Sequence, residues 1–211
     1  MQQAYTRAIA DNGNSDTWNV VKGYFGSTDY ANSYIYPYLN IAKKCGRTTN
    51  AECEYKYKVP HQDSYKDFDT RYEKFYLSDG AFIAFFITNL TQYCYTHKTE
   101  GYWSCSNVQM GDPFKFVQKE EINSATYYVD INGDKKPNKV GRDIFSFEYN
   151  NASKKTTDEN NNQSTSSEGQ LIPSCSVTTR EEMKNHCKND GTCCANLIMN
   201  DGWEIKPDYP W

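Results

Sequence analysis

One stretch, residues 126–147 (TYYVDINGDKKPNKVGRDIFSF), constrains the fold more than any other part of the chain. Aromatic and β-branched residues dominate 127–131 and 144–149, and between them lies a polar segment containing Asn132-Gly133. Such runs favour extended backbone and Asn-Gly supplies the positive φ of a tight turn, so the stretch predicts an antiparallel hairpin with a long polar tip. The tip carries Asp130, Asn132, Asp134, Asn138 and Asp143. Oxygens at 130, 132 and 134 have the alternate spacing that points ligands of a turning loop at one hard cation, with Gly133 relieving the bend. Asp130, Asn132, Asp134 and Asp143 are therefore candidate calcium ligands. An EF-hand register starting at Asp130 places Gly141 where a bidentate Glu belongs, so Asp143 has to close the site from outside that register. The competing arrangement uses the same side chains as Asx-turn acceptors for the loop's own backbone, with no metal.

A chain of 211 residues is long enough for one sizeable domain and reads as one. Its parts are a helical section at 1–45, a sheet at 54–149, a flexible loop at 150–169 and a disulfide-rich end at 170–211. The net charge is −4 and no basic cluster is denser than Lys135-Lys136, which leaves no electrostatic footprint for nucleic acid. Eight cysteines in a hydrophilic, Tyr-rich chain point to an oxidising compartment. Proximity pairs Cys45 with Cys53 and Cys94 with Cys105. The other two bonds fall among Cys175, Cys187, Cys193 and Cys194, with the adjacent Cys193 and Cys194 taking different partners. Zinc is disfavoured, because no CxxC pair occurs and His61, His97 and His186 are not spaced as ligands. The longest apolar run, 81–87, is too short to cross a bilayer and reads as a buried strand. The opening MQQAYTRAIADNG looks like a helix entered partway along, and the expectation is that an export signal has been removed upstream of it.

Residues 2–11 carry Ala4, Tyr5, Ala8 and Ile9 on one stripe with a stop at Asn12-Gly13, which predicts an amphipathic helix that packs on something. A second helical patch follows Asp16, with Trp18, Val21 and Phe25 at helical spacing. A third is expected over 29–44, kinked or started at Pro37 and ended by Gly46. Strands are expected at 72–77, 80–88 and 92–95, followed by the 127–149 hairpin. These make an antiparallel sheet of four or five strands on the N-terminal helix, an α+β arrangement. Residues 150–169 contain a single apolar residue, Ala152, and are expected to be mobile. TTREEMKNHC then predicts a short helix with a capping box from Thr179 to Glu182.

Chemistry is sparse. His61 lies near Asp63, Ser64 and Asp67, yet no nucleophile-elbow or other catalytic motif accompanies it. Glu120-Glu121 and Glu181-Glu182 are adjacent, point apart on a strand or helix, and read as solvated surface. Eighteen tyrosines and four tryptophans either stack sugars or fill a core short of Leu and Val, and the core reading is preferred. The tail 203–211 is the best candidate for exposed aromatic function, with closure of the fold as the alternative.

A chain that opens with QQAYTRAIADNG, carries VDINGDKKPNKVGRDIFSF and closes with CCANLIMNDGWEIKPDYPW resembles the proteins made with a prepilin N-terminal segment. These are the type IV pilins and the pseudopilins of type II secretion. The resemblance implies a pilin-like fold, with residues 2–11 as the second half of a long helix lying across an antiparallel sheet. The missing apolar half would anchor in the inner membrane before assembly and engage the assembly machinery there. The family's disulfide-closed C-terminal region maps onto 175–194, and its calcium is carried onto Asp130, Asn132, Asp134 and Asp143, although that loop precedes the disulfide region. Residues 150–169 depart from the compact pseudopilin pattern. The implied function is a structural, non-enzymatic subunit of an extracellular or periplasmic filament whose partners are other pilin-like subunits. The alternative is a secreted calcium-stabilised adhesin or carbohydrate-binding module.

Overall fold

A computed structural model describes residues 1–13, 15, 18, 26–47, 53–96, 103–105, 115–150, 155–157, 163–165 and 170–211, of which 88–96, 103–105, 115–124, 150, 155–157 and 163–165 are described by backbone alone. Helix α1 (Gln2–Asn12) ends where Gly13, at φ 77°, donates its N–H to Ile9 O at 2.9 Å. Ala4, Tyr5 and Ala8 are its buried residues, the i, i+1, i+4 pattern of a one-faced helix. The patch after Asp16 lies outside the described residues apart from Trp18, which is buried in the core.

The third expected helix is much shorter than the sequence pattern implied. A helical turn α2 (Gly26–Tyr30) passes into a π-helical turn (Ala31–Ile35) and a 3-10 turn (Tyr36–Tyr38), and Leu39 is already extended. Pro37 cannot donate to a continuing helix, so the apolar spacing beyond it serves a strand instead. That strand is β1 (Ile41–Gly46), which corrects the helical reading of 41–44 and carries the sheet into the section expected to be helical.

The other strands are β2 (Lys56–Tyr57), β3 (Lys66–Asp67), β4 (Glu73–Leu77), β5 (Phe82–Thr96), β6 (Trp103–Cys105), β7 (Lys115–Asp130), β8 (Ile144–Asn150), β9 (Lys155–Thr157), β10 (Gln163–Thr165) and β11 (Leu171–Pro173). A seven-stranded sheet runs β1-β4-β5-β7-β8-β11 with β6 paired to β5, and every pairing is antiparallel. The strands expected at 80–88 and 92–95 are one strand, because β7 pairs with β5 from Phe82 to Thr96 with one shift. Two-stranded ribbons β2/β3 and β9/β10 stand apart; the second falls in the segment expected to be mobile, whose remaining residues lie outside the described ones. Helices α3 (Arg180–Asn189) and α4 (Cys194–Asn200) complete the α+β fold. Among the described residues no helix is long and apolar enough to cross a membrane.

Alternation along the strands sends buried side chains to both faces of the sheet. On one face Phe75, Ile83, Phe85, Ala125, Tyr127 and Tyr149 pack with Tyr5 and Ala8 of α1 and with Trp18, Tyr30 and Ile35. On the other, Phe82, Ala84 and Ile144 pack with Tyr55, Phe68 and Val140. This explains why 82–85 reads as an unbroken apolar run. Tyrosine fills the core as preferred from the sequence, and its buried phenols find partners. Tyr5 bonds Tyr127, Tyr30 donates to Tyr5 at 3.2 Å, and Tyr149 donates to Ser15 at 2.9 Å. Tyr5 and Tyr149 stack with centroids 3.7 Å apart.

Candidate functional site

The tip of the β7–β8 hairpin is where three parts of the chain meet. Asp130, the last residue of β7, is 1% exposed, and Asp143, one residue before β8, is 3% exposed. Asp130 Oδ1 accepts the backbone N–H groups of Asn132 and Gly133, both at 2.9 Å, while Oδ2 accepts the Tyr55 hydroxyl. Asp143 Oδ2 accepts from Asn138 N at 2.8 Å and Oδ1 from Lys139 N at 2.5 Å. The Asn132 amide is best satisfied with its nitrogen turned inward, donating to Asp130 Oδ1 at 2.9 Å and Lys135 O at 2.6 Å; in the opposite orientation it reaches Asp143 Oδ2 at 3.4 Å. Asp134 faces elsewhere and accepts from the Tyr76 hydroxyl at 2.6 Å.

The four expected ligands are thus placed in one loop, but Asp130 and Asp143 are aimed at its own N–H groups. Calcium takes six to eight oxygens. A set in which Asp130 and Asp143 each accept at both carboxylate oxygens, with Asp134 turned to Tyr76, does not fit a protein-built calcium cage. It fits the Asx-turn alternative. Among the described residues no three His, Cys, Asp or Glu side chains form a metal-binding group. Burial pushes the Asp130 carboxyl up to about 6, with nearby Asp143 adding to the rise and the bonds from Tyr55, Asn132 and Gly133 opposing it. The Tyr55 phenol is raised well above its usual value by burial and by this carboxylate.

The loop also clasps the rest of the molecule. Lys58 N donates to Asn138 O at 2.8 Å and Val140 N to Lys58 O at 2.9 Å, tying it to the segment after β2. Gly133 has φ +63° and packs against the Gly80 carbonyl so closely that no side chain fits. Gly141 has φ +87°, and a Cβ there would lie 2.5 Å from Cys194 Sγ. Tyr209 donates to Gly141 O at 2.6 Å, and Lys139 Nζ sits 4.2 Å from the Trp211 ring centroid. The hairpin tip is therefore a junction between the sheet and the C-terminal region.

That region is closed covalently. Cys45–Cys53 forms as expected, and the pairings left open by the sequence are Cys175–Cys193 and Cys187–Cys194, so the two adjacent cysteines do take different partners. The side chains of Cys94 and Cys105, the other expected pair, lie outside the described ones, and the backbone register places Cys94 opposite Cys105. Cys187, Cys193, Cys194, Met183 and Leu197 form a third core cluster, against which Phe145 and Trp211 pack. Thr179 caps α3 as its sequence implies, accepting from Glu182 N at 3.4 Å and donating to the Glu182 carboxylate at 2.6 Å. Arg180 then grips the carboxylates of Asp201 and Asp208, with four contacts at 2.8 Å, and holds the Asp208 carboxyl far below the usual carboxylate range. Sequence reading missed this clamp, since nothing local links residues so far apart.

The aromatic tail divides. Trp203 and Ile205 are exposed, whereas Tyr209 and Trp211 close the third cluster. His61 Nε2 lies 3.0 Å from Lys188 O, and Asp63, Ser64 and Asp67 beside it are exposed. The side chains of Glu120 and Glu121, and all of His97, lie outside the described residues; Glu181 pairs with Lys184 at 3.0 Å on the surface of α3. No curated protein and no solved structure shows significant similarity to the chain. A family model described as a family of unknown function (DUF6613) does match it, over residues 1–211, and the chain belongs to that family.

Proposed function

We propose that the chain is the disulfide-closed globular part of a filament subunit of the pilin or pseudopilin kind, working outside the cytoplasm and without enzymatic activity. The observation that carries the reading is the seating of α1: Tyr5 and Ala8 are buried and pack onto an antiparallel sheet whose strand β8 meets a cystine-rich C-terminal region through Phe145. A helix laid across a sheet in this way leaves its remaining face for neighbours. Subunits that add head to tail need such heterologous surfaces rather than a catalytic cleft. Three described disulfides suit an exterior where thiols are oxidised and no chaperone acts. The partners are further pilin-like subunits and, before assembly, the inner-membrane machinery engaged through an apolar helix upstream.

The coding sequence upstream of Gln2 tests this. A short basic leader followed by about 20 apolar residues is expected. A cleavable signal peptide, or an in-frame catalytic domain, would replace the filament reading with a secreted module or an enzyme.

A further inference from the structure

Outside the hairpin clasp lies an open cavity of about 400 Å³, bounded by Glu54, Lys56, Tyr65, Asp134, Lys136 and Asn138 with Tyr55 behind them. That volume falls within the range of small-molecule sites. Its two acids and two lysines balance, and Glu54 and Lys56 already pair with each other at 2.5 Å. A phosphate meets Glu54 and Asp134, a cation meets the lysines, and a wholly apolar ligand strands all of these polar groups. What remains is a neutral, polar ligand.

The walls describe it further. Tyr65 stands 46% exposed and presents aromatic surface beside the cavity, with Lys58 Nζ over one face of its ring, 4.7 Å from the centroid. Asn138 is 93% buried by difference from its 7% exposure, its backbone is fixed by Asp143, and its amide nitrogen donates to Lys56 O at 3.3 Å. Its Oδ1 has no protein partner and is itself buried, so Asn138 serves as a fixed wall of the cavity. Asp134 adds an acceptor oriented by Tyr76. An exposed ring for a flat C–H face, next to an exposed carboxylate that accepts from hydroxyl groups, is the chemistry of pyranose recognition.

We propose that this cavity binds a neutral hexopyranose unit of a glycan. The proposal does not rest on filament assembly. It is tested by saturation-transfer NMR on the intact chain with the methyl glycosides of glucose, galactose, mannose and N-acetylglucosamine. Transfer to the ring protons of at least one glycoside is expected, with millimolar affinity. Tyr65→Ala should weaken it about tenfold, in line with the loss of a stacking contact. Asp134→Asn should weaken it less, and both variants should melt as the parent does because both side chains are exposed. Absence of transfer from all of these glycosides at millimolar concentration, or transfer that survives Tyr65→Ala undiminished, would overturn the proposal.

Discussion

Asp130 and Asp143 organise the hairpin tip by accepting backbone N–H groups, and their removal leaves buried donors without partners. Asp130→Ala and Asp143→Ala should each destabilise the fold by roughly 2 to 3 kcal/mol in urea denaturation, whereas Asp134→Ala, at an exposed carboxylate, should cost under about 1 kcal/mol. Because these carboxylates hold the loop themselves, melting curves in chelator and in millimolar calcium should superimpose. A native-only calcium site occupied at about 100 times its dissociation constant would instead add roughly 2.7 kcal/mol. Asp130 also fixes a pH dependence. Its carboxyl stands at about 6 when folded against 3.8 ordinarily, so as pH rises from 3.8 through 6 the folded state resists a deprotonation that the unfolded chain makes freely. Stability from this group falls across that window, and Asp130→Asn should flatten the fall in denaturation midpoints taken at successive pH values. Asp201 and Asp208 act oppositely, since Arg180 depresses both carboxyls and their contribution is lost as pH drops below 3.8. Gly141 is the most constrained position of the tip. Gly141→Ala brings a Cβ to 2.5 Å from Cys194 Sγ at a φ of +87° and should cost more than about 2 kcal/mol, while Gly202→Ala, with nothing within 4 Å at φ +77°, should cost about 1 kcal/mol.

Elements were legible where the signal is local. The β7–β8 hairpin announces itself through aromatic runs around Asn132-Gly133, α1 through its stripe and Gly13, and α3 through the Thr179 cap. Elements set by distant partners were not. Residues 41–44 fall in the stretch expected to be helical over 29–44, and what makes them a strand is pairing with β4 some thirty residues on. β11 is specified by β8 in the same way. Within the candidate site, the acceptor residues were visible, but their targets were not: the same Asp-x-Asn-x-Asp spacing serves a cation or a backbone, and the bond from Tyr55 to Asp130 is a non-local fact. Disulfide pairing followed the same division. The short Cys45–Cys53 loop was readable, whereas Cys175–Cys193 and Cys187–Cys194 depend on how α3 and α4 meet. Non-reducing peptide maps should return these three pairs, and a Cys175–Cys194 or Cys187–Cys193 peptide would contradict the described C-terminal closure.

At the scale of the molecule, the described residues give a sheet with a buried cluster on each face and a covalently closed C-terminal region. Tyrosine suits that design: it fills a core poor in Leu and Val while each phenol reaches a neighbour, as in the Tyr5–Tyr127–Tyr30 group. The proposed location of the chain is a fibre. It is tested most directly by shearing surface fibres from cells that produce the protein and identifying their peptides by mass spectrometry under non-reducing conditions. Peptides of this chain are expected in the sheared fibre fraction, with the Cys175–Cys193 and Cys187–Cys194 linkages intact. Recovery of the chain solely as a dispersed protein, absent from every fibre fraction, or with those cysteines reduced in the cytoplasm, would contradict it.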